Sequence, residues 1–421
     1  MMAPTREYRP RVADAELEER LAAAGTVLIE GPRASGKTWT AQRLARSQVL
    51  LDVDETARRL ARLDPGELLA GPTPRLLDEW QLEPGLWNHM RRAVDDRQAA
   101  GQFILTGSAV PRDDITRHSG AGRVSRLRLR PMSLFELGRS TGSVSLRAVL
   151  DGERVPGTKA RLGARALAEL VCSGGWPANL GRSPRAVLRA NRDYVGEVCR
   201  TDVPNLGGTR HDPERVDRLL QSYARNVSTT ASISTLAADV GGPGPPLSEG
   251  TARLYLATLQ RLMLIEPQPP WGPHLRSRSR LRSTPKRHFA DPSVATAALR
   301  ADARHLMSDI AWFGLLFESL VVRDLRVYAQ AMDARVCHYR DNTGLEVDAI
   351  VDAGPGRWAA FEVKLGTHRV DDAAKVLLKF ARRVDTDRCG EPAALCIIVH
   401  DGYAYEREDG VAVIPVAALG P

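Results

Sequence analysis

The stretch that decides the fold is Thr26-Val27-Leu28-Ile29-Glu30, running into Gly31-Pro32-Arg33-Ala34-Ser35-Gly36-Lys37-Thr38 and then Trp39 to Ala45. An apolar strand, a loop of the form G-x-x-x-x-G-K-[ST] and a helical pattern follow one another in that order. Such a loop wraps an anion so closely that several backbone N–H groups point at it, and Gly31 and Gly36 supply the freedom this needs. Pro32, Arg33, Ala34 and Ser35 complete the cradle. Lys37 is expected to set its ammonium on the β- and γ-phosphates and Thr38 its hydroxyl on Mg²⁺, with the helix start turned toward the phosphates. The ligand these residues imply is a nucleotide phosphate chain with Mg²⁺.

Working outward, the next strand is expected at Val49 to Val53. Pro74-Arg75-Leu76-Leu77-Asp78-Glu79 then reads as a short apolar strand ending in two carboxylates. Asp78 is expected to hold Mg²⁺ through water, and Glu79 to orient and activate the water that attacks the γ-phosphate. Phe103-Ile104-Leu105-Thr106-Gly107-Ser108, after a helix around Leu86 to Ala100, is a further strand, and either Thr106 or Ser108 is placed to face the γ-phosphate. Strands alternating with helices argue for α/β architecture, a parallel sheet with its ligand at the carboxyl ends of the strands. Upstream, residues 12–23 read as an amphipathic helix through Val12, Leu17 and Leu21.

These stretches, with Gly122-Arg123 and Leu129-Arg130-Pro131-Met132-Ser133-Leu134-Phe135-Glu136-Leu137, resemble a family of prokaryotic AAA-type ATPases that carry a C-terminal domain of unknown function. The resemblance implies a core of five parallel strands and ATP as ligand. It also gives Arg123 a place beside a γ-phosphate, in cis or across a subunit boundary, with a structural salt bridge as the competing role. No second arginine sensor is evident, which leaves assembly open.

At 421 residues with 43% hydrophobic content, the chain is long enough for two or three cores. No apolar run reaches membrane-spanning length and the N-terminus lacks a signal-peptide centre, so a cytoplasmic protein without membrane contact is expected. Five cysteines without C-x-x-C spacing suggest neither disulfides nor zinc. A net charge of +8 invites nucleic acid as a partner. The local cluster Arg276, Arg278, Arg280, Arg282, Lys286, Arg287 reads either as a phosphate-contacting patch or as a solvated linker.

In the middle of the chain, a long helix from Pro184 to Cys199 precedes three shorter ones: Leu219 to Ala224, Ile233 to Ala237, and Thr251 to Leu262, with Ser234 and Ser248 at N-cap positions. Three such helices suit a winged-helix-like connector that either reads DNA or packs as a partner-binding lid. Farther on, a helix from Trp312 to Leu325 holding Glu318 precedes strands at Arg335 to Arg340, Leu345 to Val351 and Trp358 to Lys364, then a helix and a last strand, Ala394 to Val399. Strand alternation puts Glu346 with Asp348, and Glu362 with Lys364, on shared faces.

This α-β-β-β-α-β order with Asp…Glu-x-Lys resembles the restriction-endonuclease-like superfamily. The resemblance implies metal-ligand roles for Asp348 and Glu362, an accessory acidic role for Glu318, and a water-activating or phosphate-stabilising role for Lys364. The whole reads as an AAA-like ATPase domain (1–165), a winged-helix-like connector (166–284) and a restriction-endonuclease-like domain (285–421), acting on nucleic acid such as DNA. The competing reading is an ATP-dependent switch that binds a protein partner through an inactive C-terminal domain.

Overall fold

The computed structural model describes residues 8–107, 119–204, 212–241, 245–272, 284–354 and 356–421. Ser108 and Arg276, Arg278, Arg280 and Arg282 lie outside the described residues. The chain divides into two compact units, Met1–Pro131 with Arg261–Met263, and Met132–Gln260 with Leu264–Pro421.

Among the described residues of the first unit, five strands form one sheet: β1 Thr26–Glu30, β2 Ser47–Leu50, β3 Arg75–Asp78, β4 Phe103–Gly107 and β5 Val124–Arg128. Their order is β2-β3-β4-β1-β5, and every neighbouring pair is parallel. β4 is thus inserted between the strand that enters the glycine loop and the strand that ends in Asp78. Both faces of the sheet are covered, as a parallel sheet requires. On one face Leu17, Leu21, Val27, Ile29, Leu76, Ile104 and Leu127 pack together. On the other, Leu28, Leu77 and Leu105 pack against Leu86, Met90 and Val94 of the helix Leu86–Arg97.

The second unit is built on a seven-stranded sheet of order β7-β12-β13-β11-β10-β9-β8 among the described residues. Two short strands, β6 Val144–Ser145 and β7 Thr158–Ala160, precede β8 Arg335–Arg340, β9 Glu346–Asp352 and β10 Trp358–Lys364. Then come β11 Ala394–Val399, β12 Gly402–Glu406, β13 Val411–Pro415 and β14 Leu419–Gly420. β8, β9 and β10 form an antiparallel meander, while β10, β11 and β13 run parallel. The crossover helix Val370–Ala381 buries Val370, Ala373, Ala374, Leu377 and Phe380 against Val347, Ile350, Ile397 and Val413.

The unit does not close at β11 as expected, because β13 continues the parallel run. The first domain also ends earlier than residue 165. β6 pairs with β14 and β7 with β12, so the chain from Met132 onward folds with the C-terminal sheet. Pairings across more than 240 residues leave no local signature, which is why the boundary was misplaced.

The helices Pro213–Arg225, Ile233–Gly241 and Glu249–Arg261 occupy the expected places. Ser232, rather than Ser234, caps the second, accepting a 3.0 Å bond from the Thr235 amide. Ser248 accepts from the Thr251 amide at 3.1 Å, as read. After the third helix, antiparallel bridges join Ile265 to Phe289 and Gln268 to Lys286. All five cysteines are buried and free. Among the described residues, no helix is long and apolar enough to cross a membrane.

Candidate functional site

The first site forms at the carboxyl ends of β1, β3 and β4. A Cβ at Gly31 would run into the Leu129 carbonyl oxygen. The backbone is that close because the Leu129 amide donates to Glu30 O at 2.7 Å. Beyond Gly31 the chain tightens, with Ser35 N donating to Pro32 O at 3.3 Å. Two residues stand at positive φ, Ala34 at 62° and Gly36 at 100°. Arg11 braces the loop from outside, donating to Ser35 O at 2.9 Å and Arg130 O at 2.6 Å. The Ser35 hydroxyl is buried and has no hydrogen-bond partner among the described residues.

Lys37 turns back along the loop, and its ammonium donates to the carbonyls of Gly31 at 3.0 Å and Pro32 at 2.9 Å. Burial pushes its pKa down to about 8, against the pull of Glu79 and Asp78. The Thr38 hydroxyl donates to Asp78 Oδ1 at 2.9 Å. Thr106 Oγ1 donates to the same oxygen, as the register Asp78↔Thr106 between β3 and β4 allows. Asp78 is 6% exposed. Burial raises its pKa, and the bonds from Thr106 and Thr38 oppose that rise.

Glu79 follows in the left-handed region, φ 51° and ψ 43°, an uncommon conformation for a residue with a side chain. Its carboxylate accepts from Gln81 Nε2, and a Cβ at Gly107 would strike the Gln81 amide. From the sequence alone, neither Gln81 nor Arg11 has a role. Gln81 was discoverable from its spacing two residues after Glu79, whereas Arg11 acts through long-range contacts to backbone oxygens.

Of the two roles weighed for Arg123, the structure shows the salt bridge. It precedes β5, at the edge of the sheet opposite the glycine loop, so the length of a five-residue strand, about 16 Å, separates it from a phosphate in the same chain. There its guanidinium pairs with Asp95 at 2.6 Å.

The second cluster lies on β9, β10 and the helix Ile310–Gln330 of the second unit. Glu318, Asp348, Glu362 and Lys364 are brought together, but around ammonium groups. Lys286 Nζ lies 2.8 Å from Glu318, 2.7 Å from Glu346 and 3.2 Å from Asp348. Lys364 Nζ lies 2.6 Å from Glu362 and 3.3 Å from Asp348. Among the described residues no group of three His, Cys, Asp or Glu side chains is arranged to hold a metal ion. The expected metal ligation by Glu318, Asp348 and Glu362 therefore does not fit this arrangement, since the space between them is taken by Lys286 and Lys364.

Burial opposes the charge on Lys286, yet Glu318, Asp348 and Glu346 outweigh it and hold its pKa well above the usual lysine value. Burial pushes Glu318 up to about 8 despite Lys286. Asp348 is held low against burial by Lys286, Lys364 and the Val363 amide. Glu362, buried and beside Asp348, is raised.

Lys286 and Arg287 were read as part of an exposed basic cluster. Both are buried instead, at 1% and 7% exposure, with the Arg287 guanidinium donating to Ala231 O at 3.0 and 2.9 Å. Beneath the cluster Gln268 donates to Cys337 O at 2.9 Å and Asp348 O at 3.1 Å. His288 bridges Gln268 and Ser319, at 3.1 Å to each.

A loop, strand order and carboxylate of this kind define a nucleotide-binding P-loop domain. Residues 24–138 match the AAA domain family. Residues 164–305 match a domain of unknown function, DUF8612, and residues 313–419 another, DUF4143. Uncharacterized proteins of Mycobacterium tuberculosis and Mycobacterium bovis are each 25% identical over 359 residues, 84% of this chain and 73% of theirs. A solved Walker-type ATPase of Pyrococcus abyssi is 14% identical with a TM-score of 0.41, over 70% of this chain and 99% of that one. The chain thus joins an N-terminal segment that matches the AAA domain family to a C-terminal segment that matches DUF4143.

Proposed function

We propose that the protein binds and hydrolyses MgATP at the glycine loop. The observation that carries this is the convergence of Thr38 and Thr106 on Asp78 Oδ1 beside the buried Lys37. In this reading Gly31 to Thr38 wrap the phosphates, and Lys37 leaves the Gly31 and Pro32 carbonyls to place its charge on them. Thr38 and Asp78 would hold Mg²⁺, which neutralises charge building on the phosphate oxygens. Thr106 keeps Asp78 in place, and Glu79 takes the proton of the attacking water, with Gln81 fixing its carboxylate. Steady-state turnover tests the assignment. Glu79→Gln should bind ATP with affinity close to wild type while kcat falls by about 100-fold or more, since only a group acting in the transition state is removed.

The appended unit resembles a nuclease-like core in its α-β-β-β-α-β order and in its Asp348, Glu362 and Lys364, and this supports nucleic acid as what the ATPase acts on. The three helices and following bridges of residues 213–289 suit a winged-helix-like connector. One observation favours a second reading, an ATP-dependent switch for a protein partner with a C-terminal domain that does not cut. Lys286 supplies the positive charge that a metal-dependent centre draws from its ion. Assays of cleavage and of ATP turnover with single-stranded, double-stranded and branched DNA separate the two. DNA-stimulated turnover supports the nucleic-acid reading, and turnover indifferent to DNA without any cleavage supports the switch.

A further inference from the structure

We propose that Lys286 is the built-in counter-cation of the C-terminal carboxylate cluster, and that Glu318, Glu346 and Asp348 become a divalent-cation site only when its ammonium is withdrawn. The inference rests on the second reading above, in which this domain does not cut nucleic acid with a metal.

An ammonium has three N–H donors and no acceptor. Those of Lys286 have three carboxylates to meet, at 2.7, 2.8 and 3.2 Å. Asp348 is engaged on both oxygens, Oδ1 by Lys286 and Oδ2 by Lys364 and the Val363 amide at 2.9 Å. A hard divalent ion needs oxygens at about 2.0–2.6 Å around one centre, and the ammonium sits at the centre these oxygens would share. The two cations therefore exclude one another.

Lys286 is also not a surface side chain that happens to reach inward. Its amide donates to Gln268 O at 3.0 Å and its carbonyl accepts from Gln268 N at 2.9 Å. The Gln268 side chain is tied in turn to the Asp348 carbonyl. On the other side the Arg287 amide donates to Thr229 O at 2.8 Å. The cation is thus fixed by backbone on both sides. It comes from the segment matching DUF8612, whereas Glu318, Glu346 and Asp348 lie in the segment matching DUF4143, so one family segment fills the acidic centre of the next.

Glu346 is partly exposed, with 36% of its side-chain surface open, which gives an ion a route in once the lysine is gone. Removing one partner of a buried ion cluster leaves uncompensated charge. Lys286→Met, which keeps the length and loses the charge, should leave three carboxylates that a divalent ion can satisfy.

The test is Mn²⁺ titration of the nucleotide-free full chain, followed by the free-ion signal and by thermal melting. Wild type and Asp348→Asn should give superimposable isotherms. Lys286→Met should gain one site, at least tenfold tighter than any wild-type binding, that disappears when Asp348→Asn is added. Its midpoint should be lowered without metal and restored by millimolar Mn²⁺. An Asp348-dependent Mn²⁺ site in the wild type would overturn both this proposal and the non-cutting reading. A Lys286→Met chain that neither binds Mn²⁺ nor regains stability in it would overturn the proposal alone.

Discussion

At the scale of single residues, the nucleotide site depends on groups that touch one another through short polar contacts, and each makes a separate claim. Thr106→Val removes a hydroxyl from a buried carboxylate, so Asp78 loses a bond that offsets its burial. An unmet charged acceptor costs about 1–3 kcal/mol. Turnover should fall by roughly 10- to 100-fold with the fold intact by circular dichroism, and unchanged turnover would show that Thr106 does not position Asp78. Gly31→Ala drives a Cβ into the Leu129 carbonyl oxygen where β5 meets β1. Overpacking of that kind costs about 1–3 kcal/mol, so both the thermal midpoint and ATP binding should drop.

Two histidines set a pH dependence. His338 is fully buried, and burial pushes its pKa down to about 4. His288 is lowered well below the usual value by burial and by nearby Arg326 and Lys286. Both are neutral in the fold, while the unfolded chain protonates them near 6.5. Their contribution is therefore fully present above about pH 6.5 and is lost as pH falls from there toward 4, by up to about 1.4 kcal/mol per histidine per pH unit. Glu318 and Glu362, raised by burial, act in the opposite sense over the same range, so the histidine contribution is read as a difference: between pH 7.5 and 5 the midpoint of His338→Leu should gain steadily on that of the wild type. Equal slopes in the two proteins would contradict this assignment.

At the scale of elements, what the sequence disclosed depended on whether the relevant residues are neighbours in the chain. The glycine loop, β3 with its Asp-Glu end, β4 and the helix carrying Glu318 were all legible, because each is a contiguous run with its own periodicity or turn chemistry. Lys286 was not legible. A lysine next to an arginine reads as solvated charge, and only its isolated bridge with Gln268 and its contacts to the carboxylates reveal that it points into an acidic centre. β6 and β7 were missed for a related reason, since two- and three-residue strands paired with partners far along the chain carry little local pattern; β12 and β13, a local hairpin after β11, were passed over although their pairing is near in sequence.

The helix Ile310–Gln330 shows how far tertiary context overrides charge. Its Arg323 is 2% exposed and pairs with Asp291 at 2.8 Å and Asp324 at 2.7 Å. Asp291 also accepts from Gly175 N, and Asp324 from Leu134 N. Arg323→Met would strand two buried carboxylates, at a cost of about 3–5 kcal/mol. Denaturant unfolding checks this, and a loss below about 1 kcal/mol would mean that the carboxylates find other partners.

For the molecule as a whole, the account assigns ATP chemistry to the first unit and the lysine-filled carboxylate cluster to the second, with the nucleotide site built wholly from residues of the first. Substitutions at Lys286 or Lys364 should therefore leave basal ATP turnover unchanged, and substitutions at Lys37 should leave the melting of the second unit unchanged. The most direct test of the central claim is a calorimetric titration of MgATP into wild type and Lys37→Ala. Losing charge-assisted contacts to the phosphates costs about 3 kcal/mol or more. The account predicts one site in the wild type and at least a 100-fold weaker one, or none measurable, in Lys37→Ala. Equal affinity in the two proteins would contradict it.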